Sequence, residues 1–172
     1  MAIQIELTHG KVAIIDDDNW DLVSGFKWRA VKGHNTWYAL ATSRRDGGGH
    51  RAVLMHRLLL GLTDPTIKTD HRDGDGLNNQ RENIRACSNA ENGRNRRKNV
   101  NNSSGFKGAR WHKGAGRWVA QIWFNGKQKY LGLYCTPEEA HMAYCKAAIE
   151  MHGEFCNFGA MESGQKKGPE GP

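Results

Sequence analysis

One stretch of the chain combines the residue types that hydrolysis of a phosphodiester requires. Residues 70–92 read DHRDGDGLNNQRENIRACSNAEN and begin with an adjacent acid and imidazole, Asp70 and His71. Two amides follow, Asn83 twelve positions and Asn92 twenty-one positions after the histidine. This reaction needs a base to activate water and a hard cation to neutralise charge, and imidazole and oxygen ligands supply these. The stretch is therefore a candidate catalytic site.

Two simpler interpretations compete with catalysis. Asp, Asn and Gly are common loop residues, so the stretch could be a polar loop that happens to contain one histidine. A degenerate calcium-binding loop is a second alternative, but it fails on spacing. After Asp73 and Asp75 the next alternate position is Leu77, and no Glu occupies the place of the twelfth-position ligand of an EF-hand.

The surrounding pattern predicts a β-loop-β-helix unit that positions these residues. TIKTDH and NIRAC read as strands on either side of a polar loop. Ser88 and Glu91 have the spacing of a capping box, which predicts a short helix through about Arg96. His71 then lies at the end of a strand, and Asn92 lies on the helix.

In this order and context, the residues resemble the HNH endonucleases of phages and mobile introns. The resemblance implies a ββα-metal nuclease core over residues 61–98 that hydrolyses DNA phosphodiesters to 5′-phosphate and 3′-hydroxyl ends. It implies His71 as general base, with Asn83 holding the loop and orienting the imidazole. It also implies Asp70 and Asn92 as ligands of one divalent cation, and their oxygen atoms favour Mg²⁺ or Mn²⁺ over zinc.

Several basic residues near this core are candidates for contacts to phosphate. His56 and Arg57 resemble an H-R pair that precedes the catalytic pair in many homing enzymes, although they could equally be a core histidine and a surface arginine. Arg72 and Arg85 flank the centre and could bind phosphate through two hydrogen bonds, although an exposed strand arginine is the default. The full candidate set is His56, Arg57, Arg72, Arg85, Arg94, Arg96 and Arg97.

Residues 1–60 predict a small β-rich unit in which no functional motif is recognisable. IQIEL, KVAII, KWRAV, TWYALATS and AVLMHRLLLG alternate or run apolar over short lengths, with turn-forming residues between them. We expect the nuclease core to pack against this unit through a strand at residues 52–60. The aromatic residues fit a core better than a ligand site, and they are Trp20, Phe26, Trp28, Trp37 and Tyr38.

The remainder of the chain predicts a second module after a linker at residues 99–105. FKGARWH, GRWVAQIWF and QKYLGLY predict three antiparallel strands, with an NG hairpin turn before the last. Thr136 has the features of a helix cap, and Gly153 ends that helix. The module spans residues 106–158, and the polar residues 159–172 predict a disordered tail.

This module resembles the Apetala-type (ethylene-response-factor) DNA-binding domain nearly end to end. The shared motifs are K-G-x-R, R-W-V-A-x-I, Y-L-G-x-Y, the T-x-E-E-A helix and the closing H-G-E-F. The resemblance implies that the sheet lies in the major groove of DNA while the helix packs behind it. Several arginines of the plant domains are replaced here, so their target sequence is not carried over. The implied DNA-facing residues are Lys107, Arg110, His112, Arg117, Gln121, Trp123, Lys127, Lys129 and Tyr130.

Charge and composition agree with a polyanionic partner. The net charge is +7 and the isoelectric point is near 9.4, and residues 101–136 contain no Asp or Glu. No apolar run is long enough to span a membrane, and no secretory signal is recognisable, so we expect a cytoplasmic protein of a phage or bacterial host cell. The four cysteines lack a C-x-x-C pair, so we expect reduced thiols and no structural zinc.

Together these features predict an α+β chain in which a β-rich unit with an HNH core is linked to a three-stranded antiparallel sheet packed on one helix. The expected function is Mg²⁺-dependent, homing-type cleavage of double-stranded DNA by a monomer or homodimer, with the C-terminal sheet reading the sequence. The alternative is a non-catalytic, sequence-specific DNA-binding regulator with a structural HNH core. RNA binding or cleavage is a third possibility that depends on positive charge alone.

Overall fold

The computed structural model of the chain describes residues 1–96, 98–99 and 101–159. The chain divides into two compact units, Met1–Gly93 and a second unit that begins at Arg94. The candidate phosphate contact Arg97 lies outside the described residues, and so does the predicted disordered tail, residues 159–172, except for Gly159. Within the described ranges, none of the helices has the length and hydropathy that crossing a membrane requires.

The first unit contains three small antiparallel sheets. The first pairs β1 (Ala2–Glu6) with β2 (Val12–Asp16), and the second has the order β3 (Arg29–Lys32), β4 (Trp37–Arg44), β5 (His50–Leu54). The third pairs β6 (Lys68–His71) with β7 (Ile84–Cys87). Three short helices complete the unit, α1 (Trp20–Val23), α2 (Met55–Leu59) and α3 (Asn89–Arg94).

A single apolar cluster joins strands β1–β4 with helices α1 and α2. Ile15 of β2, Ala39 of β4 and Met55 of α2 are inaccessible to solvent and belong to the same cluster. Leu77, in the loop between β6 and β7, packs into it as well. The predicted boundary at residue 60 therefore does not separate two cores, because the β6–β7 loop completes the core of the N-terminal sheets.

The strand predicted at residues 52–60 is wrong in its second half. Strand β5 ends at Leu54, and the helix α2 follows at once. Met55 is buried and Leu58 and Leu59 pack against the core, which is the i, i+3, i+4 spacing of one helical face. A short, uninterrupted apolar run such as AVLMHRLLLG does not distinguish a strand from a buried helix by periodicity.

The aromatic residues assigned to the N-terminal core divide into two groups. Trp28 and Trp37 pack against the apolar cluster, as predicted. Trp20 is 45% exposed at the start of α1, and Tyr38 lies half-buried among histidine rings. Tyr38 therefore belongs to the candidate site described below.

The second unit confirms the predicted sheet of three strands packed on one main helix. The strands β8 (Ala109–His112), β9 (Arg117–Phe124) and β10 (Lys127–Tyr134) are antiparallel, with β9 in the centre. The helix α4 (Pro137–His152) begins with the predicted capping box between Thr136 and Glu139. Its capping residue at the other end is Gly153, also as predicted.

Small residues let α4 lie close to the sheet. Ala140, Ala147 and Ala148 are buried where the helix meets the sheet, against clusters that include Ala120 and Ile122 of β9. Alanines at helical spacing give a flat face, so the helix backbone approaches the strands closely. This packing assigns one face of the sheet to α4 and leaves the other face outside.

Candidate functional site

Three rings from different elements meet in the first unit. His56 of α2 and His71 at the end of β6 lie edge to face, with ring centroids 5.1 Å apart. The ring of Tyr38, from β4, is 5.5 Å from the ring of His56 and 6.0 Å from that of His71. Sequence reasoning assigned Tyr38 to the core because no local pattern distinguishes an aromatic residue beside a site from one in a core.

The loop between β6 and β7 packs directly on Tyr38. A Cβ atom added at Gly76 would lie 2.4 Å from the carbonyl oxygen of Trp37 and 2.6 Å from the ring of Tyr38. The backbone N–H of Gly76 also donates to the hydroxyl of Thr36 at 2.9 Å. Only a residue without a side chain allows this approach, so Gly76 brings the loop that follows His71 against the ring cluster.

The side chain of Asn83 connects the two ends of this loop through hydrogen bonds. Its amide Nδ2 donates to Asp73 Oδ1 at 3.0 Å and to the carbonyl oxygen of Asn78 at 2.7 Å. Its Oδ1 accepts from the backbone N–H of Asp73 at 3.1 Å. The amide side chain that raises the pKa of His71 belongs to the fully buried Asn79, a residue that sequence reasoning missed. An orienting role of Asn83 toward the imidazole stays a prediction.

The loop is also joined to strand β2. The N–H of Ile14 donates to the carbonyl oxygen of Leu77 at 2.9 Å, and the N–H of Asn79 donates to the carbonyl oxygen of Ile14 at 2.7 Å. Asp16 at the end of β2 accepts from the N–H of Arg81 at 2.6 Å. These bonds hold a polar loop at a fixed place in the unit.

Asp70 and Arg85 form a buried ion pair across β6 and β7. The two residues face each other in the register of the strands, and Nε and Nη2 of Arg85 both donate to Oδ2 of Asp70, at 2.9 and 2.6 Å. Asp70 is 5% exposed and Arg85 is 8% exposed. The guanidinium of Arg85 therefore points inward to its cross-strand partner, and its predicted contact to phosphate stays a prediction.

Arg57 also has a structural position. Its guanidinium donates to the carbonyl oxygens of Ile67 and Asp64 at 2.7 and 2.6 Å, which ties α2 to the segment before β6. His56 is buried, which fits the alternative of a core histidine, and the predicted contact of this pair to phosphate stays a prediction. Arg72 is exposed beside His71, and its predicted contact to phosphate stays a prediction.

Asp70 and Asn92, the predicted ligands of a divalent cation, have suitable oxygen atoms but lie in different surroundings. A carboxylate at Asp70 and an amide oxygen at Asn92 are ligands that Mg²⁺ accepts. Asn92 is exposed on α3, whereas at Asp70 a cation would compete with the guanidinium of Arg85. Among the residues that the structure describes, no group of three or more His, Cys, Asp or Glu side chains is placed to hold a metal ion.

Burial keeps both histidines of the ring cluster neutral. It lowers the pKa of His56 to about 3, and repulsion by the charge of Arg57, and by His71 whenever it is protonated, acts in the same direction. Burial also lowers the pKa of His71, although Asn79 and Asp73 oppose the shift. At neutral pH the His71 ring is therefore an unprotonated base.

The second unit presents the outer face of its sheet, opposite α4. Ala120 and Ile122 of β9 face the helix, so Gln121 and Trp123 between and beyond them face outward. Paired residues of adjacent strands point to the same side of a sheet. The residues of β8 and β10 that pair with outward-facing residues of β9 therefore face outward as well. The structure places six of the predicted residues on this outer face, namely Arg110, His112, Arg117, Gln121, Trp123 and Tyr130.

Lys127 and Lys129 lie on the other face of the sheet, which corrects their assignment to the DNA-facing set. They pair with Phe124 and Ile122, and Ile122 packs under α4. The Nζ of Lys129 lies 5.3 Å from the centroid of the Phe124 ring. Lys129 and Tyr130 are adjacent in one strand and cannot share a face.

Lys107 makes its observed contacts within the second unit. Its Nζ donates to the carbonyl oxygens of Arg94 and Arg96 at 3.3 and 2.6 Å and lies over the ring of Tyr144. Burial lowers its pKa to about 8. The side chain therefore joins the start of the second unit to α4, and its predicted contact to DNA stays a prediction.

Large aromatic side chains and guanidinium groups share the outer face. Trp123 and Tyr130 are 63% and 65% exposed, which is unusual for residues of this size. Arg110 and Arg117 are exposed as well, and among the described residues neither makes an ion pair with a carboxylate. Such a face offers stacking surfaces and hydrogen-bond donors together.

Comparison with known proteins identifies the second unit. Residues 104–154 match the AP2 domain family, which confirms the resemblance drawn from the sequence. APETALA2-like protein 2 of rice (Oryza sativa) is 43% identical over 51 residues, and the Arabidopsis thaliana AP2-like ethylene-responsive transcription factor TOE2 is 41% identical over 51 residues. These matches cover 30% of the chain but only 12% and 10% of the two plant proteins.

A phage protein matches over a longer part of the chain. Protein 3.8 of Escherichia phage T7 is 33% identical over 89 residues, which are 52% of this chain and 73% of the phage protein. This stretch is longer than residues 104–172, so it includes residues before the AP2 segment. No solved structure matches the chain significantly.

Proposed function

We propose that this chain, which belongs to the same family as Protein 3.8 of Escherichia phage T7, binds double-stranded DNA sequence-specifically through its AP2 domain. The observation that carries the proposal is the outer face of the β8–β10 sheet, where Trp123 and Tyr130 are exposed on the same face as Arg110 and Arg117. Exposed aromatic rings are poorly solvated by water, and together with positive charge they are typical of a surface that binds nucleic acid.

The chemistry of the face suits the edges and phosphates of a DNA groove. Arg110 and Arg117 can bind phosphate oxygens or the O6 and N7 atoms of guanine through paired N–H groups. Gln121 offers an amide that complements adenine, and the ring of Trp123 can contact a thymine methyl group. The strands carry these groups on a rigid support because α4 packs on the opposite face.

Fluorescence anisotropy with a labelled duplex tests this proposal. We expect the double variant Arg117→Gln/Tyr130→Ala to lose at least about tenfold in affinity and to reduce the salt dependence by about one phosphate contact. The matched control is Lys146→Gln, which removes one positive charge from the exposed side of α4 and should bind as the wild type does. Equal affinities of the double variant and the wild type would refute the proposal, and so would stronger binding to RNA.

Hydrolysis of a DNA phosphodiester is a second candidate function, and the position of His71 favours it. The ring is unprotonated at neutral pH, lies next to Asp70 at the end of β6 and borders a loop fastened by Asn83. In this candidate His71 would accept the proton of the attacking water, and Asp70 and Asn92 would hold Mg²⁺ or Mn²⁺. The bound cation would neutralise charge on the phosphate.

Incubation of supercoiled plasmid with the full chain and Mg²⁺ separates the two candidates. Catalysis predicts nicked plasmid that disappears in the His71→Ala variant and when EDTA removes the cation. Nicking no greater than that of His71→Ala would instead leave a non-catalytic DNA-binding regulator. Because DNA binding is measured separately, either outcome leaves the first proposal standing.

A further inference from the structure

A basic β-hairpin extends from the first unit and takes no part in either function proposed above. Strands β4 and β5 are joined by the sequence RRDGGGHR at residues 44–51, which we call the hairpin tip. Ala41, near the base, is inaccessible to solvent, whereas every residue of the tip is exposed. At about 3.3 Å per strand residue, the tip begins about 10 Å beyond that buried base.

The tip concentrates positive charge. It contains Arg44, Arg45 and Arg51 but only one acid, Asp46. Among the described residues, none of these three arginines has a carboxylate within ion-pair distance. Like charges held close together repel each other, so the unit would be more stable without them. Their presence is explained if a polyanion binds there.

The charges point to both faces of the ribbon. Arg44 pairs with His50 and Ser43 pairs with Arg51, and neighbouring pairs of an antiparallel ladder project to opposite sides. A flat anionic surface, such as a membrane, could contact only one of these sides at a time. Two walls of phosphate, as in a groove of duplex DNA, would contact both.

Three glycines make the end of the ribbon thin. Gly47, Gly48 and Gly49 follow one another with φ values of +88°, +98° and +82°, a region that favours glycine. Hydrogen bonds from the N–H of Arg45 to the carbonyl oxygen of Gly49 and from the N–H of Gly48 to that of Arg45 close the turn at 3.1 Å each. The end is therefore a defined turn without bulky side chains between the arginines.

We infer that the hairpin tip binds in a groove of double-stranded DNA, with Arg44, Arg45 and Arg51 on the sugar-phosphate backbone. The major groove of B-DNA, about 12 Å wide, admits a two-stranded ribbon, whereas the major groove of A-form RNA is too narrow for side chains to enter. The inference rests on the proposed DNA binding and adds a second contact surface in a different unit. Since the contacts are to phosphates, they contribute affinity but little sequence preference.

Salt titrations of the full chain on a duplex of random sequence test the inference. The test variant is Arg44→Gln/Arg45→Gln/Arg51→Gln. The matched control, Lys27→Gln/Arg29→Gln/Lys32→Gln, removes the same charge from exposed positions at and before β3, the opposite edge of the same sheet. At about 0.9 per phosphate contact, the slope of log Kd against log salt should fall by about 2 to 3 in the test variant and by less than about 0.5 in the control.

Three results would overturn the inference. The first is a test variant with the same salt slope as the wild type, and the second is an equal decrease of that slope in the test and control variants. The third is a loss of binding to duplex RNA or to phosphatidylglycerol vesicles that equals the loss of binding to duplex DNA. A third variant of the chain, Arg117→Gln/Trp123→Ala, distinguishes failure of this inference from failure of the proposed function. If that protein loses affinity while the hairpin variant does not, only the hairpin inference fails. If that protein binds like the wild type, the proposed function of the AP2 sheet fails instead.

Discussion

The rings of His56 and His71 meet edge to face, with centroids 5.1 Å apart and planes at 89°. One ring comes from a helix and the other from the end of a strand, so the contact joins α2 to β6. Both rings are buried, and a positive charge on either would be held next to the other. The contact is therefore stable only while both rings are neutral.

Acidification should destabilise the first unit through His56. The folded pKa of about 3 lies below the ordinary histidine value of 6.5, so between these values the unfolded chain binds more protons and stability falls as the pH falls. From pH 7 to pH 5, His56 alone should lower the free energy of unfolding by about 2 kcal/mol. Urea denaturation at the two pH values measures this difference.

The variant His56→Phe should remove this part of the pH dependence, because it keeps a ring in the cluster but cannot bind a proton. The matched control is His34→Phe, at an exposed position of the same unit, which should keep the wild-type dependence. The same decrease from pH 7 to pH 5 in His56→Phe as in the wild type would contradict the assignment to His56.

The loop that borders His71 should depend on the absence of a side chain at Gly76. We expect Gly76→Ala to lower the free energy of unfolding by at least about 2 kcal/mol, because its Cβ would overlap the Trp37 carbonyl and the Tyr38 ring. Gly25→Ala is the matched control, since nothing lies within 4 Å of a Cβ there. Thermal unfolding compares the two, and equal stabilities would show that the loop does not pack on Tyr38.

Lys107 should matter for stability and not for contacts to DNA. In Lys107→Met the carbonyl oxygens of Arg94 and Arg96 lose charge-assisted hydrogen bonds, which should cost about 1 to 3 kcal/mol of stability. The salt dependence of DNA binding should not change, whereas Arg117→Gln should reduce it. A reduced slope in Lys107→Met, measured at a temperature where the variant is folded, would instead support the predicted contact of Lys107 to DNA.

Local sequence signals were sufficient for most of the second unit. The NG turn, the cap at Thr136 and the stop at Gly153 each act through neighbouring residues, so the sequence shows them directly. Which residues of β10 face outward was harder to predict. The family resemblance puts Lys129 and Tyr130 on one face, whereas the alternation of a strand puts adjacent residues on opposite faces.

The first unit was harder to predict because its site depends on contacts between distant residues. Tyr38 meets His71 only after the loop has docked through Gly76, and no pattern near Tyr38 indicates this. The inward position of Arg85 follows from its register with Asp70, and register cannot be read from two short strands separated by a loop. Residues that act through long-range packing need the fold before their roles can be assigned.

Selection of bound sequences from a random duplex library most directly tests whether the outer face of the β8–β10 sheet reads DNA. The full chain should enrich one motif, and Gln121→Ala/Trp123→Ala should change or lose positions of that motif. Lys127→Gln/Lys129→Gln, on the opposite face of the same sheet, should enrich the wild-type motif. An unchanged motif in Gln121→Ala/Trp123→Ala, or no enrichment by the wild type, would contradict the account.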